Sequence, residues 1–207
     1  MLCIRNRPFH NLLIPPSKKG ETILVFDQFT DTESLALSSH SIAPINSLSV
    51  SWTIENQLKI YSNQTGLLNA AYGFGYFNAG ISDLVISGKF KSTTTGSNNS
   101  YQIGVIGRFV DNLNYWKVCI HAYNDKFRIY EVVAGSGSTR AEALIPIDPA
   151  TFYTIRAVFN GQTISATLDN TYPLSYGSAT FNLSETKHGF YLRAAADRLD
   201  DFKILSL

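Results

Sequence analysis

The sequence carries little charge of either sign. Only 16% of its 207 residues are charged, and 17 lysines and arginines against 16 aspartates and glutamates leave a formal net charge of +1. This balance excludes the global basic field that gathers nucleic acid or anionic lipid. We therefore expect neither nucleic acid nor a membrane as partner, and recognition must rest on shape and local contacts.

Cysteine and histidine are also scarce. The two cysteines, Cys3 and Cys119, have no metal-binding spacing and indicate no disulfide scaffold. We expect Cys119 to be a reduced, buried thiol and Cys3 to be incidental. The four histidines lie in unrelated segments without the spacing of a zinc motif, at His10, His40, His121 and His188. No metal site of that kind is predicted.

Long apolar runs are missing from the start of the chain. The run from Leu12 to Ile14 is far too short for the core of a signal peptide or for a membrane span. We therefore expect no signal peptide and no transmembrane segment. The protein is expected to stay in the reducing cytosol, or to be assembled there into something larger.

The sequence is rich in residues that favour β-strands and the loops between them. Hydrophobic residues make up 44% of the chain, which is enough for a sizeable core, and Tyr, Phe, Ser, Thr, Asn and Gly are plentiful. This composition is typical of two-layer β-proteins with polar loops. The length suits one large all-β domain, or a smaller domain with an appendage.

The stretch from Tyr101 to Val133 predicts three strands joined by two short turns, Asp111-Asn112 and Asn124-Asp125. Its period-2 alternation separates two faces. The inward face is predicted to carry Ile103, Val105, Phe109, Trp116, Val118, Ile120, Phe127, Ile129 and Val133. The outward face is predicted to carry cations and phenols, at Arg108, Tyr115, Lys117, His121, Arg128 and Tyr130. A second layer must cover the apolar face.

Strand-like segments with turn residues between them fill most of the remaining chain. They are Glu21–Phe29, Leu48–Ile54, Gln57–Ser62, Leu67–Phe77, Ser82–Lys91, Ala141–Ile147, Phe152–Phe159, Gln162–Asp169, Gly189–Ala195 and Asp200–Ser206. Hairpins are predicted about Glu55-Asn56 and, as a type I′ turn, about Asn160-Gly161. Ala134–Thr139 is predicted to be a flexible turn, and Tyr172–Phe181 a loop or edge piece. Glycines at 73 and 75 indicate a bulge or a close backbone approach. The total of about a dozen strands favours an antiparallel sandwich.

The first twenty residues differ from the rest. Met1 to Gly20 shows no sustained alternation, is rich in basic residues and contains Pro15-Pro16, which favours extended or irregular backbone. It is more apolar than a solvated tail requires, so two alternatives remain, a frayed terminus and an arm that docks on a neighbouring subunit. The predicted docking residues of this arm are Leu2, Ile4, Arg5, Arg7, Phe9, Leu12, Leu13 and Ile14.

Several motifs resemble the concanavalin A-like jelly-roll sandwiches, the laminin-G and lectin-like group. They are VFDQFTD (25–31), SLALSSH (34–40), SWTIEN with the following QLKIYSN, IGRFVDNLNYW, YTIRAVFNGQTISATLDN and GFYLRAAADRLDDFKI. The resemblance covers Glu21 to Leu207. It implies an all-β, two-sheet antiparallel jelly-roll domain over 21–207, preceded by an extended N-terminal arm over 1–20.

The resemblance is specific for the fold and open on function. Similar domains occur in bacteriophage structural proteins, including capsid decoration and tail proteins, and in carbohydrate-binding modules. The leading hypothesis is a non-enzymatic virion protein, a capsid decoration or cement protein whose arm docks on neighbouring subunits. Its partners would be the major capsid protein or another virion protein, and copies of itself in an oligomer such as a trimer. The alternative is a carbohydrate- or host-receptor-binding module that uses the outward face of the stretch from Tyr101 to Val133.

Catalysis is not expected from these residues. Glycosidases of related jelly rolls place paired carboxylates on one strand, so that acid and base flank the scissile bond. The nearest acidic pairs, Asp200-Asp201 and Asp27 with Asp31, lie at strand ends, and Glu131 stands alone. A degenerate glycan hydrolase would require two carboxylates facing one cleft.

Calcium is the one cofactor that the residues suggest. Asp27, Asp31 and Asp201, with Asp200, would approach one another if the first and last strands pair, and carboxylate oxygens suit this ion. The competing interpretation is that Asp27 and Asp201 cap turns or pair with lysine and arginine. No other cofactor is predicted.

Overall fold

A computed structural model describes residues 20–67, 72–92, 102–149, 151–194 and 196–207. Within these ranges the chain forms 16 strands and two short 3-10 helices, Leu37–Ser39 and Ala122–Asn124. The strands are β1 (Ile23–Asp27), β2 (Pro44–Asn46), β3 (Thr53–Glu55), β4 (Leu58–Tyr61), β5 (Gln64–Leu67), β6 (Gly73–Asn78), β7 (Leu84–Lys91), β8 (Ile103–Asp111), β9 (Asn114–His121), β10 (Lys126–Val133), β11 (Ser136–Leu144), β12 (Tyr153–Asn160), β13 (Thr163–Leu168), β14 (Tyr172–Tyr176), β15 (Lys187–Leu192) and β16 (Arg198–Leu205). Neither helix has the length and apolar character needed to cross a membrane.

The strands build two antiparallel sheets that pack face to face. The nine-stranded sheet runs in the order β14-β13-β12-β7-β16-β1-β2, with β5 pairing beside β16 and β4 beside β5. The seven-stranded sheet runs β11-β10-β9-β8-β15-β6-β3. This arrangement confirms the predicted all-β jelly-roll sandwich. Of the predicted arm over residues 1–20, only Gly20 belongs to the described residues.

The core lies between the two sheets because each sheet turns its apolar residues to the other. Both tryptophans are buried there, as their alternation predicts, and each satisfies its indole N–H. Trp52 Nε1 donates to Asp27 Oδ2 at 2.6 Å, and Trp116 Nε1 donates to the Phe181 carbonyl at 2.8 Å. Gly75 admits the ring of Phe190, which would lie 2.4 Å from a Cβ there, so the predicted close approach is confirmed.

The three strands predicted between Tyr101 and Val133 are β8, β9 and β10, and they lie side by side in the seven-stranded sheet. Their alternation holds except at two points. The pairing of β8 with β9 shifts after Gly107, where Arg108 has a positive φ of 49°. This bulge reverses the facing of the residues that follow, so Phe109 leaves the core. Val133, at the end of β10, is exposed.

Other local predictions were wrong because strand partners are chosen at long range. β3 and β4 do not form the hairpin predicted about Glu55-Asn56, since β3 pairs with β6 in one sheet and β4 with β5 in the other. The hairpin of β12 and β13 forms, but Asn160 pairs with Thr163 and is the last residue of its strand. Of the Asn-Gly pair, only Gly161 has a positive φ. The turn is therefore made by Gly161 and Gln162, one residue later than predicted. Most of the predicted flexible turn at 134–139 belongs to β11.

Candidate functional site

The outer face of the seven-stranded sheet, the face turned away from the core, carries a second apolar cluster. It consists of Phe74, Ile106, Phe109, Tyr115, Val132 and Tyr191, with Tyr72, Tyr76 and Tyr130 packed against it. The solvent side of an antiparallel sheet is usually polar. Here the six residues of the cluster are 0 to 7% exposed, so they form a second, smaller core on this side of the sheet.

Strand register explains why these side chains meet. Lys117 on β9 is paired with Tyr130 on β10 and with Ile106 on β8. Two residues further along β9, Cys119 is paired with Arg128 on β10. Because residues two apart on a strand share a face, both rows project to the same side of the sheet.

A cavity of about 300 Å³ opens on this outer face. Its described lining residues are Tyr72, Phe74, Gln102, Asn112, Leu113, Tyr115, Lys117, Tyr130, Val132, Gly135, Gly137, Tyr191 and Arg193. We call this set the outer-face cavity. Its volume falls at the lower end of the range for ligand pockets, and its lining mixes apolar and aromatic side chains with amide and cationic groups.

One rim of the outer-face cavity is formed by two turns that are tied together. The turn between β8 and β9 supplies Leu113, and the turn between β10 and β11 supplies Gly135, whose N–H donates to the Leu113 carbonyl at 2.9 Å. The N–H of Ala134 donates to Asn114 Oδ1 at 3.1 Å. These bonds hold the rim before any ligand arrives, which reduces the ordering cost of binding.

Lys117 lines the outer-face cavity and is 5% exposed. Its Nζ lies 4.7 Å from the ring centre of Tyr191 and 5.2 Å from that of Tyr130. Burial lowers the pKa of Lys117; the nearby Cys119 thiol opposes this change, and the charges of Arg193 and Arg128 lower the pKa further. The ammonium is therefore held in place by ring faces in surroundings that are already positively charged.

Tyr115 and Tyr191 remain neutral hydrogen-bonding groups. Burial raises the pKa of Tyr191 to about 12 and raises that of Tyr115 further. The ring of Tyr130 lies against Gly137 on β11. A Cβ on residue 137 would come within 2.2 Å of this ring, so only a glycine fits there. These rings and their phenolic O–H groups line the cavity.

The structure brings together part of the predicted outward face. Tyr115, Lys117 and Tyr130 line the outer-face cavity. Arg128 lies on the same face beside them, where its Nε donates to Glu142 at 2.6 Å. His121 is fully buried at the end of β9, and its Nδ1 accepts from the Asn124 N–H at 3.2 Å. His121 does not belong to the cavity lining.

The prediction that Arg108 faces outward was wrong. The bulge at this residue turns its side chain into the space between the sheets, where the guanidinium lies 5.6 Å from the ring centre of Phe159. It donates to the carbonyls of Gly161 at 2.6 Å and Ala179 at 3.3 Å, and to Asp83 at 3.0 Å. Arg108 therefore ties the sheets together and is not part of the outer face.

The calcium candidates are held by other partners. Asp27 is fully buried, and its carboxylate binds the Phe29 N–H, Trp52 Nε1 and, at 2.8 Å, His40 Nε2. Asp31 lies on the other ring nitrogen of His40, and Asp201 pairs with Lys89. Among the described residues, no group of three or more His, Cys, Asp or Glu side chains could hold a metal ion. Turn capping and pairing with cations, the competing interpretation, account for these carboxylates.

His40 is the centre of that carboxylate cluster. Its burial disfavours the charged ring, but hydrogen bonds and charge interactions with Asp27 and Asp31 prevail and raise the pKa of His40 above its usual value.

Cys119 on β9 is a free buried thiol, as predicted. Burial raises its pKa against the pull of Lys117 and Arg128, so the thiol is unreactive.

Several cavity residues were missed from the sequence. Tyr72, Phe74, Tyr191 and Arg193 come from β6, β15 and their flanks, far from β9 in the chain. Alternation along β15 could have placed one of them on the outer face, because an inward Phe190 puts Tyr191 on the opposite face of the strand. What alternation lacks is the strand order, which puts β15 next to β8.

No protein-family model and no curated protein matches the sequence. Many solved structures match the fold. The carbohydrate-binding module CBM66 from Bacillus subtilis is 15% identical with a TM-score of 0.55, and the alignment covers 75% of this chain and 91% of that one. The GH43 BlXynB protein from Bacillus licheniformis is 14% identical with a TM-score of 0.59, over 88% of this chain and 39% of that one.

A third similar structure is the exoplasmic/lumenal domain of VIP36 in its Ca²⁺/Man3GlcNAc-bound form. It is 10% identical with a TM-score of 0.54, and the alignment covers 75% of this chain and 83% of that one. The similar structures are thus lectin-like, carbohydrate-binding and glycosidase jelly-roll domains. At these identities the likeness establishes the fold of the chain, a galectin- and concanavalin-like β-sandwich.

Proposed function

We propose that this protein is a non-catalytic carbohydrate-binding protein that holds a saccharide in the outer-face cavity. The observation that carries the proposal is the lining itself, which combines ring faces at Tyr72, Tyr115, Tyr130 and Tyr191 with the amides of Gln102 and Asn112. Sugar rings present apolar C–H faces and a rim of hydroxyls. Aromatic faces with phenolic and amide groups are complementary to both.

The comparisons support this proposal over other uses of the face. The similar solved structures include a carbohydrate-binding module and a lectin-like domain with a bound saccharide. Glycan binding, the alternative drawn from the sequence, is supported both by the cavity and by these similar structures. We therefore place it ahead of the virion role.

The cavity does not provide the groups that glycoside hydrolysis needs. None of its described lining residues is Asp or Glu. Hydrolysis of a glycosidic bond by two carboxylates requires an acid and a nucleophile or base on either side of the bond. Binding without cleavage is therefore the activity that this lining supports.

A glycan array with purified protein, followed by calorimetry on the best ligand, tests the proposal. We expect Tyr130→Ala, and Tyr115→Ala combined with Tyr130→Ala, to weaken binding about tenfold or more, because stacking area and a hydroxyl are lost. Tyr172→Ala, on exposed edge strand β14 of the other sheet, is the matched control and should bind normally. Folding of each variant is checked by circular dichroism. Absence of binding across a broad panel, or binding unaffected in the folded double variant, would reject the proposal.

The virion role remains a second prediction. It depends on the apolar, basic arm over residues 1–20, of which only Gly20 belongs to the described part of the chain. A capsid or tail protein with a glycan-binding sandwich would combine both roles. The arm would attach the domain to neighbouring subunits, and the outer-face cavity would stay free for a saccharide.

A further inference from the structure

The outer-face cavity contains a buried cation with no counter-ion. Lys117 is 5% exposed and contacts the rings of Tyr130 and Tyr191. Among the described residues, no carboxylate and no other hydrogen-bond acceptor is bound to its Nζ. Burial of a charge without an opposite charge or a full set of acceptors is costly. The ring faces offset only part of that cost.

Several other cations in the described part of the chain are neutralised by carboxylates. Lys126 pairs with Glu142 at 2.9 Å, and Arg128, the cation next to Lys117 on the outer face, pairs with the same carboxylate at 2.6 Å. Lys89 pairs with Asp201 and Arg140 with Glu131. Lys203 on the other sheet is also buried, at 9% exposed and 4.5 Å from the ring centre of Phe26, but it does not belong to the described lining of the outer-face cavity, whereas Lys117 does.

The charge of the cavity lining is one-sided. Lys117 and Arg193 both line it, and none of the described lining residues is acidic. The positive charges of Arg193 and Arg128 act on Lys117 and, together with its burial, disfavour its protonation, although the Cys119 thiol opposes this. A negative group placed there would relieve the repulsion and supply the missing partner of Lys117.

We propose that the saccharide held in the outer-face cavity is anionic and that its acidic group, a carboxylate or a sulfate, binds the Nζ of Lys117. This inference rests on the proposed function and names the class of its ligand. Tyr130 and Tyr191 orient the ammonium from either side, and Arg193 reinforces the positive potential. A neutral sugar would occupy the same ring faces but leave Lys117 unpaired.

The test uses pairs of ligands that differ only in charge. Oligogalacturonides are compared with their methyl esters, and a sulfated galactan oligosaccharide with its desulfated form, by calorimetry at low salt. We expect at least one acidic member to bind the wild-type protein about tenfold or more tightly than its neutral counterpart, because a charge-assisted hydrogen bond in a buried site is stronger than a neutral one. The ligand pair that shows the preference identifies the carboxylate or the sulfate as the recognised group.

Lys117→Met removes the charge and keeps the length of the side chain, and Lys89→Met on the other sheet is the matched control. We expect Lys117→Met to abolish the preference for the acidic ligand while its neutral counterpart still binds, and Lys89→Met to change neither. Equal binding of acidic and neutral ligands by the wild type, or a preference that survives in Lys117→Met, overturns the inference and leaves the proposed function intact.

A complete lack of saccharide binding would instead remove both proposals. The comparison of acidic and neutral ligands uses the wild-type protein alone, so it remains decisive if Lys117→Met does not fold. Displacement of the acidic ligand by added sodium chloride, with the neutral ligand unaffected, is the independent check of charge recognition.

Discussion

Asp200 is a largely buried carboxylic acid with a second carboxylate next to it. Burial raises its pKa to about 6, and the charge of Asp201 contributes to the rise, while the Asp201 N–H bond to Asp200 Oδ1 and the charge of Lys89 oppose it. The folded state therefore holds a proton on Asp200 at pH values where the unfolded chain has released it. Stability from this group is present at low pH and is lost as pH rises through about 6.

Asp200→Asn should therefore stabilise the protein at neutral pH. Asparagine keeps an oxygen for the Asp201 N–H and removes the buried charge, so we expect a gain of about 1 to 2 kcal/mol in the free energy of unfolding at pH 7.5 and almost none at pH 4. Urea denaturation at both pH values measures this. Asp201→Asn, which loses the pair with Lys89, should not stabilise. A gain for Asp200→Asn that is equal at the two pH values would contradict the assignment.

At the scale of single strands, the bulge in β8 decides which residues face the core and which join the apolar cluster on the outer face. The bulge directs the side chain of Arg108 inward and the side chain of the next residue, Phe109, outward. The inward Arg108 binds the turn after β12 and the loop at Ala179, and its own N–H lies 3.4 Å from His188 Nδ1. His188 stays neutral, because burial lowers its pKa to about 4.

Arg108→Met should destabilise the sandwich and leave ligand binding intact. Methionine can still pack on Phe159, but the carbonyls of Gly161 and Ala179 lose their donor, which costs about 3 kcal/mol in the free energy of unfolding. Urea denaturation measures the loss, with Lys89→Met as a surface control that should cost less than about 1 kcal/mol. Calorimetry under folding conditions should give an unchanged affinity. Weaker binding by the folded variant would return Arg108 to the binding face.

At the scale of the whole molecule, the described chain is bonded to the sandwich from its first residues. Thr22 bonds to Ser206 on the last segment, and Glu21 pairs with Arg156 on β12, so the chain is already fastened to the domain from residue 21 onward. The arm and the sandwich are thus separable parts for experiment.

Deletion of residues 2–20 tests the predicted virion role. Because Glu21 and Thr22 are kept, we expect the free energy of unfolding to change by less than about 1 kcal/mol. If the arm fastens the protein to a particle, retention on native particles should be lost while saccharide binding persists. Undiminished retention with intact stability would rule out the arm as the attachment. A charge-swapped arm, with Arg5 and Arg7 changed to Glu, separates its basic residues from its apolar ones.

The sequence by itself determined the class of fold and the inward direction of both tryptophans. Alternation is a local property of an extended chain, and turn residues bound each strand, so these features can be predicted without knowledge of strand partners. The same alternation placed Tyr115, Lys117 and Tyr130 on one face, and the structure confirms that face.

Only the tertiary structure decided where the candidate site lies. The cavity joins Tyr72, Tyr115 and Tyr191, from three strands or their flanks that are distant in sequence and become neighbours through strand order. The bulge at Arg108 and the missing hairpin at Glu55-Asn56 depend on long-range pairing in the same way. The unpaired charge of Lys117 is likewise invisible in the sequence, because burial is set by all the elements that pack around a residue.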